Sequence, residues 1–94
     1  MRLTNSERQI IKQTIQPFDR RARILLFGSR ANDKARGGDI DLLIVSERIA
    51  PDELNAIRWR LWEQLGEQKI DLVLSRDNSD NAFAQTAFEQ GVEL

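Results

Sequence analysis

The sequence has 94 residues, of which 40% are hydrophobic and 31% charged, and its 14 basic and 15 acidic residues leave a formal net charge of −1. This balance predicts one globular domain over residues 1–94, and it argues against nucleic acid as the main partner, because nucleic-acid-binding domains are usually strongly basic. Cysteine and histidine are absent, which excludes disulfides, thiolate metal sites and histidine base catalysis. Any metal must be held by oxygen ligands, which points to magnesium, manganese or calcium rather than zinc. Without a signal-peptide core or an apolar run of about 18 residues, we expect a cytoplasmic protein with no membrane span.

Three helices are predicted from capping residues and apolar spacing. The first covers residues 5–16 and ends before Pro17, and the second covers residues 51–65 and stops at Gly66. A third is expected over residues 81–90. A short helical turn is also expected after Gly28, because Ser29 can cap it.

Three apolar runs predict strands that alternate with these helices. They are RILLF at residues 23–27, DIDLLIV at residues 39–45 and KIDLVL at residues 69–74. Strands alternating with helices favour a layered α/β domain, here a small mixed β-sheet flanked by helices.

The second and third strands carry carboxylates among their apolar residues. Asp39 and Asp41 project from the same face of a strand, about 6.5–7 Å apart, because side chains alternate along it. Their mutual repulsion is relieved by a cation. If the third strand lies beside the second, Asp71 completes a cluster of three carboxylates. Such a cluster suits one or two Mg²⁺ ions that hold a nucleoside triphosphate.

The turn after the first strand has the features of a phosphate site. Gly28 lets the backbone approach a phosphate, the Ser29 hydroxyl can donate to it, and Arg30 can add charge-assisted hydrogen bonds. Taken singly, each feature has an ordinary explanation: solvated acids at a strand start, or a salt bridge at Asp71. Together and in this order, the features favour a triphosphate site.

The segment Gly28-Ser29, nine residues and then Asp39-x-Asp41 resembles the signature of the polymerase-β-type nucleotidyltransferases. The form "GSRA…GGDIDLLIV" resembles the minimal nucleotidyltransferases (MNT) of that superfamily. The resemblance implies that Gly28 and Ser29 contact the triphosphate of ATP, and that Asp39 and Asp41 hold two Mg²⁺ ions. It also implies that Asp71 ligates the catalytic metal and helps to activate the attacking hydroxyl. Gly38 stands where relatives often carry serine.

The resemblance further implies transfer of AMP from ATP to an acceptor, with release of pyrophosphate. Minimal nucleotidyltransferases commonly stand beside a helical HEPN protein, a toxin that the nucleotidyltransferase, as antitoxin, modifies with AMP. We therefore expect a HEPN-type partner, encoded nearby, and a hetero-oligomer. The alternative is an inactive binding module that neutralises its helical partner by contact alone.

Two surface features bear on partners. In the second predicted helix, Trp59 lies nearly opposite the apolar stripe that contains Ile57 and Leu61. It is a candidate interface anchor. Equally, it could lie flat over charged neighbours or under a terminal segment. The cluster Arg20, Arg21 and Arg23 could meet an acidic partner or RNA, although a solvated strand entrance is the favoured interpretation.

Overall fold

The computed structural model describes residues 3–27, 40–66, 69–76 and 89–94. The helices and strands of these ranges are, in chain order, α1 (Asn5–Ile15), β1 (Arg23–Phe27), β2 (Ile40–Val45), α2 (Glu53–Leu65), β3 (Ile70–Ser75) and β4 (Val92–Glu93). The strands form one mixed sheet in the order β3-β2-β1-β4. Strand β1 is antiparallel to both its neighbours, whereas β2 and β3 are parallel. The expected small mixed α/β fold is confirmed.

The ends of α1 follow from its sequence. Thr4 caps the helix by a reciprocal pair of hydrogen bonds with Glu7, in which each side chain accepts from the other residue's backbone N–H. The prediction placed Gln16 within this helix, but Gln16 is the residue that caps its C-terminus. Its backbone N–H still donates to the Lys12 carbonyl at 3.0 Å, so the turn closes there before Pro17.

Helix α2 starts later than predicted and ends where predicted. Pro51 and Asp52 form a turn before the helix, which begins at Glu53. It ends at Gly66, whose positive φ of 91° places the residue outside helical geometry. Neither α1 nor α2, the helices of the part of the chain described, is long and apolar enough to cross a membrane.

Strand β1 has the predicted bounds, Arg23–Phe27. The third strand lies one position further along the chain than predicted. Strand β3 runs from Ile70 to Ser75 instead of starting at Lys69. The extension has a physical reason: the Ser46 backbone N–H donates to the Ser75 carbonyl at 2.9 Å and prolongs the pairing with β2. Asp39, the predicted start of β2, lies outside the described residues.

A fourth strand was not predicted. Val92 and Glu93 form β4 because they pair with Leu26 and Leu25 on β1. Two residues carry too little sequence pattern to indicate a strand by themselves. Of the final helix predicted for residues 81–90, positions 81–88 lie outside the described residues, as does the short helical turn predicted after Gly28.

One face of the sheet packs against both helices and forms the main core. Ile11 and Ile15 of α1 and Ile57 and Leu61 of α2 are fully buried there. The strands contribute alternate residues to this face: Ile24, Leu26, Ile40, Leu42, Ile44, Ile70 and Leu72. The intervening residues point to the opposite face, where Leu25 and Leu43 are also buried.

Candidate active site

Asp41 and Asp71 are register partners on the two parallel strands β2 and β3. Each is the second residue of its strand, and each is half-buried. Neighbouring strands of a sheet lie about 4.8 Å apart. Asp71 could join the carboxylates of the second strand only if the third strand lay beside it. The fold meets this condition, because β2 and β3 are neighbours.

Both carboxylates lie on the face of the sheet that α1 and α2 do not cover. This follows from alternation, because Ile40 and Leu42 on either side of Asp41 belong to the core beneath the helices. Phe27 of β1 is the register partner of Asp41 on its other side. Phe27, Asp41 and Asp71 therefore form one row across the sheet. On the same face, the next residue along β2 is the buried Leu43.

The electrostatics of this row favour a cation. Like charges directly opposite each other on neighbouring strands destabilise a sheet. A hard divalent ion such as Mg²⁺ takes oxygen ligands and removes that repulsion. Asp41 and Asp71 offer that donor chemistry, so the residues fit the metal that the sequence suggested. Within the described ranges no cluster of three or more metal-ligating side chains is present.

Four of the six predicted site residues cannot be placed in the fold. Gly28, Ser29, Arg30 and Asp39 lie outside the described residues, and their roles stay predictions. Asp41 and Asp71 are the two that the structure brings together. The neighbour that sequence reasoning missed is Phe27, which ends the first apolar run and gave no sign of its place in the row.

A second polar cluster, also missed, lies at the other end of β2. The buried carboxylate of Asp19 accepts a hydrogen bond of 2.6 Å from the Ser46 hydroxyl and one of 2.9 Å from the Arg21 backbone N–H. Arg76 donates to the backbone carbonyls of Ser46 and Ile49. These groups border a cavity of about 580 Å³. Because it opens four residues further along β2 than Asp41, we assign this cluster a structural role.

The Ser46 hydroxyl is the main reason why the pKa of Asp19 lies below its ordinary value, and the Arg21 backbone N–H adds to the effect. Burial opposes both by disfavouring the charged form. The cluster ties the segment after α1 to the end of β2. A serine directly after DIDLLIV was the only local signal, and serines are common at strand ends.

The arginine cluster of the sequence is divided in the structure. Arg23 forms a two-pronged ion pair with Glu93, with nitrogen–oxygen distances of 2.9 and 2.7 Å. This pair connects β1 to β4 and holds the pKa of Glu93 below its ordinary value, chiefly through the hydrogen bonds from Arg23. Arg20 and Arg21 are exposed. The favoured interpretation, a solvated strand entrance, agrees with the exposure of all three residues.

The fold and the paired acids define a small α/β domain with carboxylates at one end of a mixed sheet. The model of the family described as Polymerase beta, Nucleotidyltransferase matches residues 9–94 of the chain. The chain therefore belongs to the polymerase-β nucleotidyltransferase family, and its general function is nucleotidyl transfer. No curated protein matches the sequence.

Proposed function

We propose that this protein transfers AMP from ATP to a hydroxyl group of a partner protein. The observation that carries the proposal is the register pairing of Asp41 with Asp71 in a chain of the nucleotidyltransferase family. In the reaction the acceptor oxygen forms a bond to the α-phosphorus, the bond from that phosphorus to the leaving oxygen breaks, and pyrophosphate departs. The hydroxyl proton passes to a base and then to solvent.

Asp41 and Asp71, with Asp39 two positions earlier in the sequence, would hold Mg²⁺. When bound, Mg²⁺ neutralises charge on the triphosphate and lowers the pKa of the acceptor hydroxyl. Asp71 lies on β3, the edge strand of the described sheet, and the resemblance to the polymerase-β-type nucleotidyltransferases gives the matching acid a part in activating the attacking hydroxyl. We assign it the acceptance of the hydroxyl proton. Gly28, Ser29 and Arg30 are proposed to bind the phosphates.

The proposed acceptor is a HEPN-type helical toxin, and the chain acts as its antitoxin. Support for this step comes from the resemblance of "GSRA…GGDIDLLIV" to the minimal nucleotidyltransferases. A protein acceptor also agrees with the charge balance of the chain, since a net charge of −1 does not favour a nucleic acid acceptor. The two proteins would form a hetero-oligomer in the cytoplasm.

The test is transfer of label from α-³²P-ATP to the purified HEPN-type protein in the presence of Mg²⁺. Asp71→Asn should lower the rate at least about 100-fold, which corresponds to about 2.7 kcal/mol of transition-state stabilisation. The matched control is Asp52→Asn, because Asp52 is an exposed aspartate whose side chain makes no capping hydrogen bond. It should transfer at the rate of the unmodified chain.

Two results would contradict the proposal. Transfer by Asp71→Asn at the full rate would show that the pair of Asp41 and Asp71 is not needed for the reaction. A stable complex with no labelled partner would show instead that the chain acts by contact, as a binding module. In that case Asp71→Asn would still suppress the toxin.

A further inference from the structure

Trp59 and Trp62 form an exposed aromatic pair on the outer side of α2. Their ring centroids lie 5.3 Å apart with 27° between the planes, so the two rings stack. Trp59 is 60% exposed and Trp62 36% exposed, and they are the exposed large hydrophobic residues of the described part of the chain. The exposed aromatic surface of α2 is therefore a pair of tryptophans, one helical turn apart, and not Trp59 alone.

This tryptophan pair borders a cavity of about 420 Å³ that reaches the start of β3, at Lys69 and Ile70. Ile70 directly precedes Asp71, and the Lys69 carbonyl accepts a hydrogen bond of 3.0 Å from the Ile40 backbone N–H. The cavity and the carboxylate pair thus lie at the same end of the sheet, on its two faces. Since β3 is the edge strand of the described sheet, one bound molecule could cover both by passing around this edge.

We propose that the tryptophan pair docks the protein acceptor of AMP transfer, through an apolar segment of that acceptor flanked by carboxylates. The inference rests on the proposed function. The carboxylates are expected because Arg58 lines the same cavity. Arg58 donates to the neutral amide oxygen of Asn55 at 3.3 Å and, within the described residues, forms no ion pair.

The area of the pair indicates how the acceptor lies. The two partly exposed rings together offer on the order of 200 Å². A stable protein interface buries about 800 Å² on each partner. The pair can therefore be the centre of an interface but not the whole of it. Contact that spreads from Ile70 toward Asp71 would supply further area and bring acceptor side chains to the carboxylates.

Two other occupants fit less well. A second copy of this chain, related by a two-fold axis through the tryptophans, would bring Arg58 of both copies to one place, and like charges disfavour that contact. Single-stranded nucleic acid stacks on exposed aromatic rings, but its binding also needs a strongly positive groove. The net charge of −1 offers little general attraction for a polyanion.

The chain carries its own reporter for this surface. Trp59 and Trp62 are its two tryptophans, and tyrosine is absent, so tryptophan emission reports on the pair alone. Titration with the HEPN-type protein, with its own tryptophans replaced where it has any, should shift this emission to shorter wavelength as the rings leave water. Trp59→Ser should weaken the complex at least about tenfold. Because Trp59 is exposed, the variant should keep its fold, which circular dichroism checks.

A charge variant provides the second measurement. Arg58→Glu should weaken the complex at least about threefold in low salt, and less in high salt. Arg20→Glu is the control, since Arg20 is also exposed but borders other cavities. It should bind like the unmodified chain. If Arg58→Glu and Arg20→Glu weakened binding equally, the attraction would be a general electrostatic one and not that of a docking site. This result would overturn the inference.

The remaining outcomes separate docking from chemistry. If Trp59→Ser binds and transfers normally, the docking inference fails and the proposed function stands. If Trp59→Ser loses the complex but the unmodified chain transfers no AMP, the docking surface stands and the proposed function fails. If the HEPN-type protein does not bind at all, both fail. Dimers of this chain that depend on the tryptophans would show that a second copy occupies this surface. An emission shift with single-stranded RNA would show that RNA occupies it. Either result would overturn the inference.

Discussion

Asp41 of β2 and Asp71 of β3 are paired across two parallel strands, on the sheet face away from both helices. The chain thereby places two acids side by side within a mainly apolar sheet. Like charges at facing positions of neighbouring strands repel each other, and a bound cation reduces that repulsion. The stability of the domain should therefore differ with and without metal.

Asp71→Asn should stabilise the metal-free protein by about 0.2–1 kcal/mol, because it removes one of two like charges on facing strand positions. In the unmodified chain, Mg²⁺ at ten times its dissociation constant should add about 1.4 kcal/mol, and the variant should gain little. Urea unfolding with Mg²⁺ or with EDTA measures both effects. Asp52→Asn should respond to Mg²⁺ as the unmodified chain does, and an Asp71→Asn variant with the full Mg²⁺ response would contradict the metal assignment.

The hydrogen bond between Ser46 and Asp19 should make a pH-dependent contribution to stability. At pH 7, Ser46→Ala should lower the free energy of unfolding by about 1.5–3 kcal/mol, because it removes a buried donor to a carboxylate. The pKa of Asp19 is lowered from 3.8 in the folded protein. The contribution is therefore complete above that ordinary value, and it is lost as the pH falls through the lower folded-state pKa.

The measurement is urea unfolding of Ser46→Ala and the unmodified chain at pH 7 and near pH 2.5. The difference between the two proteins should shrink as the pH falls below 3.8, the ordinary pKa of Asp19, because protonation then begins to remove the charge that Ser46 stabilises. A difference that stays constant would show that Ser46 acts through its bonds from the Arg48 and Ile49 backbone N–H groups instead. Asp19→Asn should remove the same pH dependence.

Gly66→Ala tests the backbone at the end of α2. A Cβ atom at this position would meet nothing within 4 Å, so any loss of stability comes from the conformation alone. Gly66 has φ 91° and ψ −176°, a region that is essentially restricted to glycine. Thermal or urea unfolding should show a loss of about 1–3 kcal/mol. Gly66→Asn should lose a similar amount, whereas recovery by asparagine would indicate ordinary left-handed geometry.

Thr4→Ala should destabilise α1. The substitution removes the acceptor for the Glu7 backbone N–H at 3.1 Å, and half of the reciprocal cap is lost. Loss of an N-cap side chain typically lowers stability by about 1 kcal/mol. Thr4→Ser keeps the hydroxyl and should stay within about 0.5 kcal/mol of the unmodified chain. Equal unfolding curves for the alanine and serine variants would show that the cap contributes nothing.

Much of the fold follows from local patterns. The segment RILLF predicted the bounds of β1 correctly. A short apolar run that is bounded by turn residues is typical of a buried strand. The stripe with Ile57 and Leu61 predicted the buried face of α2, and Gly66 its end. Errors at helix and strand ends were of one or two residues. These ends depend on individual hydrogen bonds, such as that from Ser46 to Ser75, which apolar spacing does not record.

The candidate site, too, could be predicted only in part. The residue types, two aspartates before an apolar run and a third in a later strand, were visible in the sequence. That Asp71 faces Asp41 depends on β3 lying parallel to β2 in one register, since a shift by one residue would turn Asp71 to the helix-covered face. No local signal sets that register.

The sequence by itself determined helices α1 and α2, strands β1 to β3 and the acids available for chemistry, because apolar spacing, caps and turns act over a few neighbouring residues. Tertiary structure decided which residues meet. Strand β4 exists through its pairing with β1, Ser46 reaches Asp19 across 27 positions, and Asp71 joins Asp41 across the sheet. Such contacts depend on how whole elements pack, and packing is a property of the complete core, not of any segment in it.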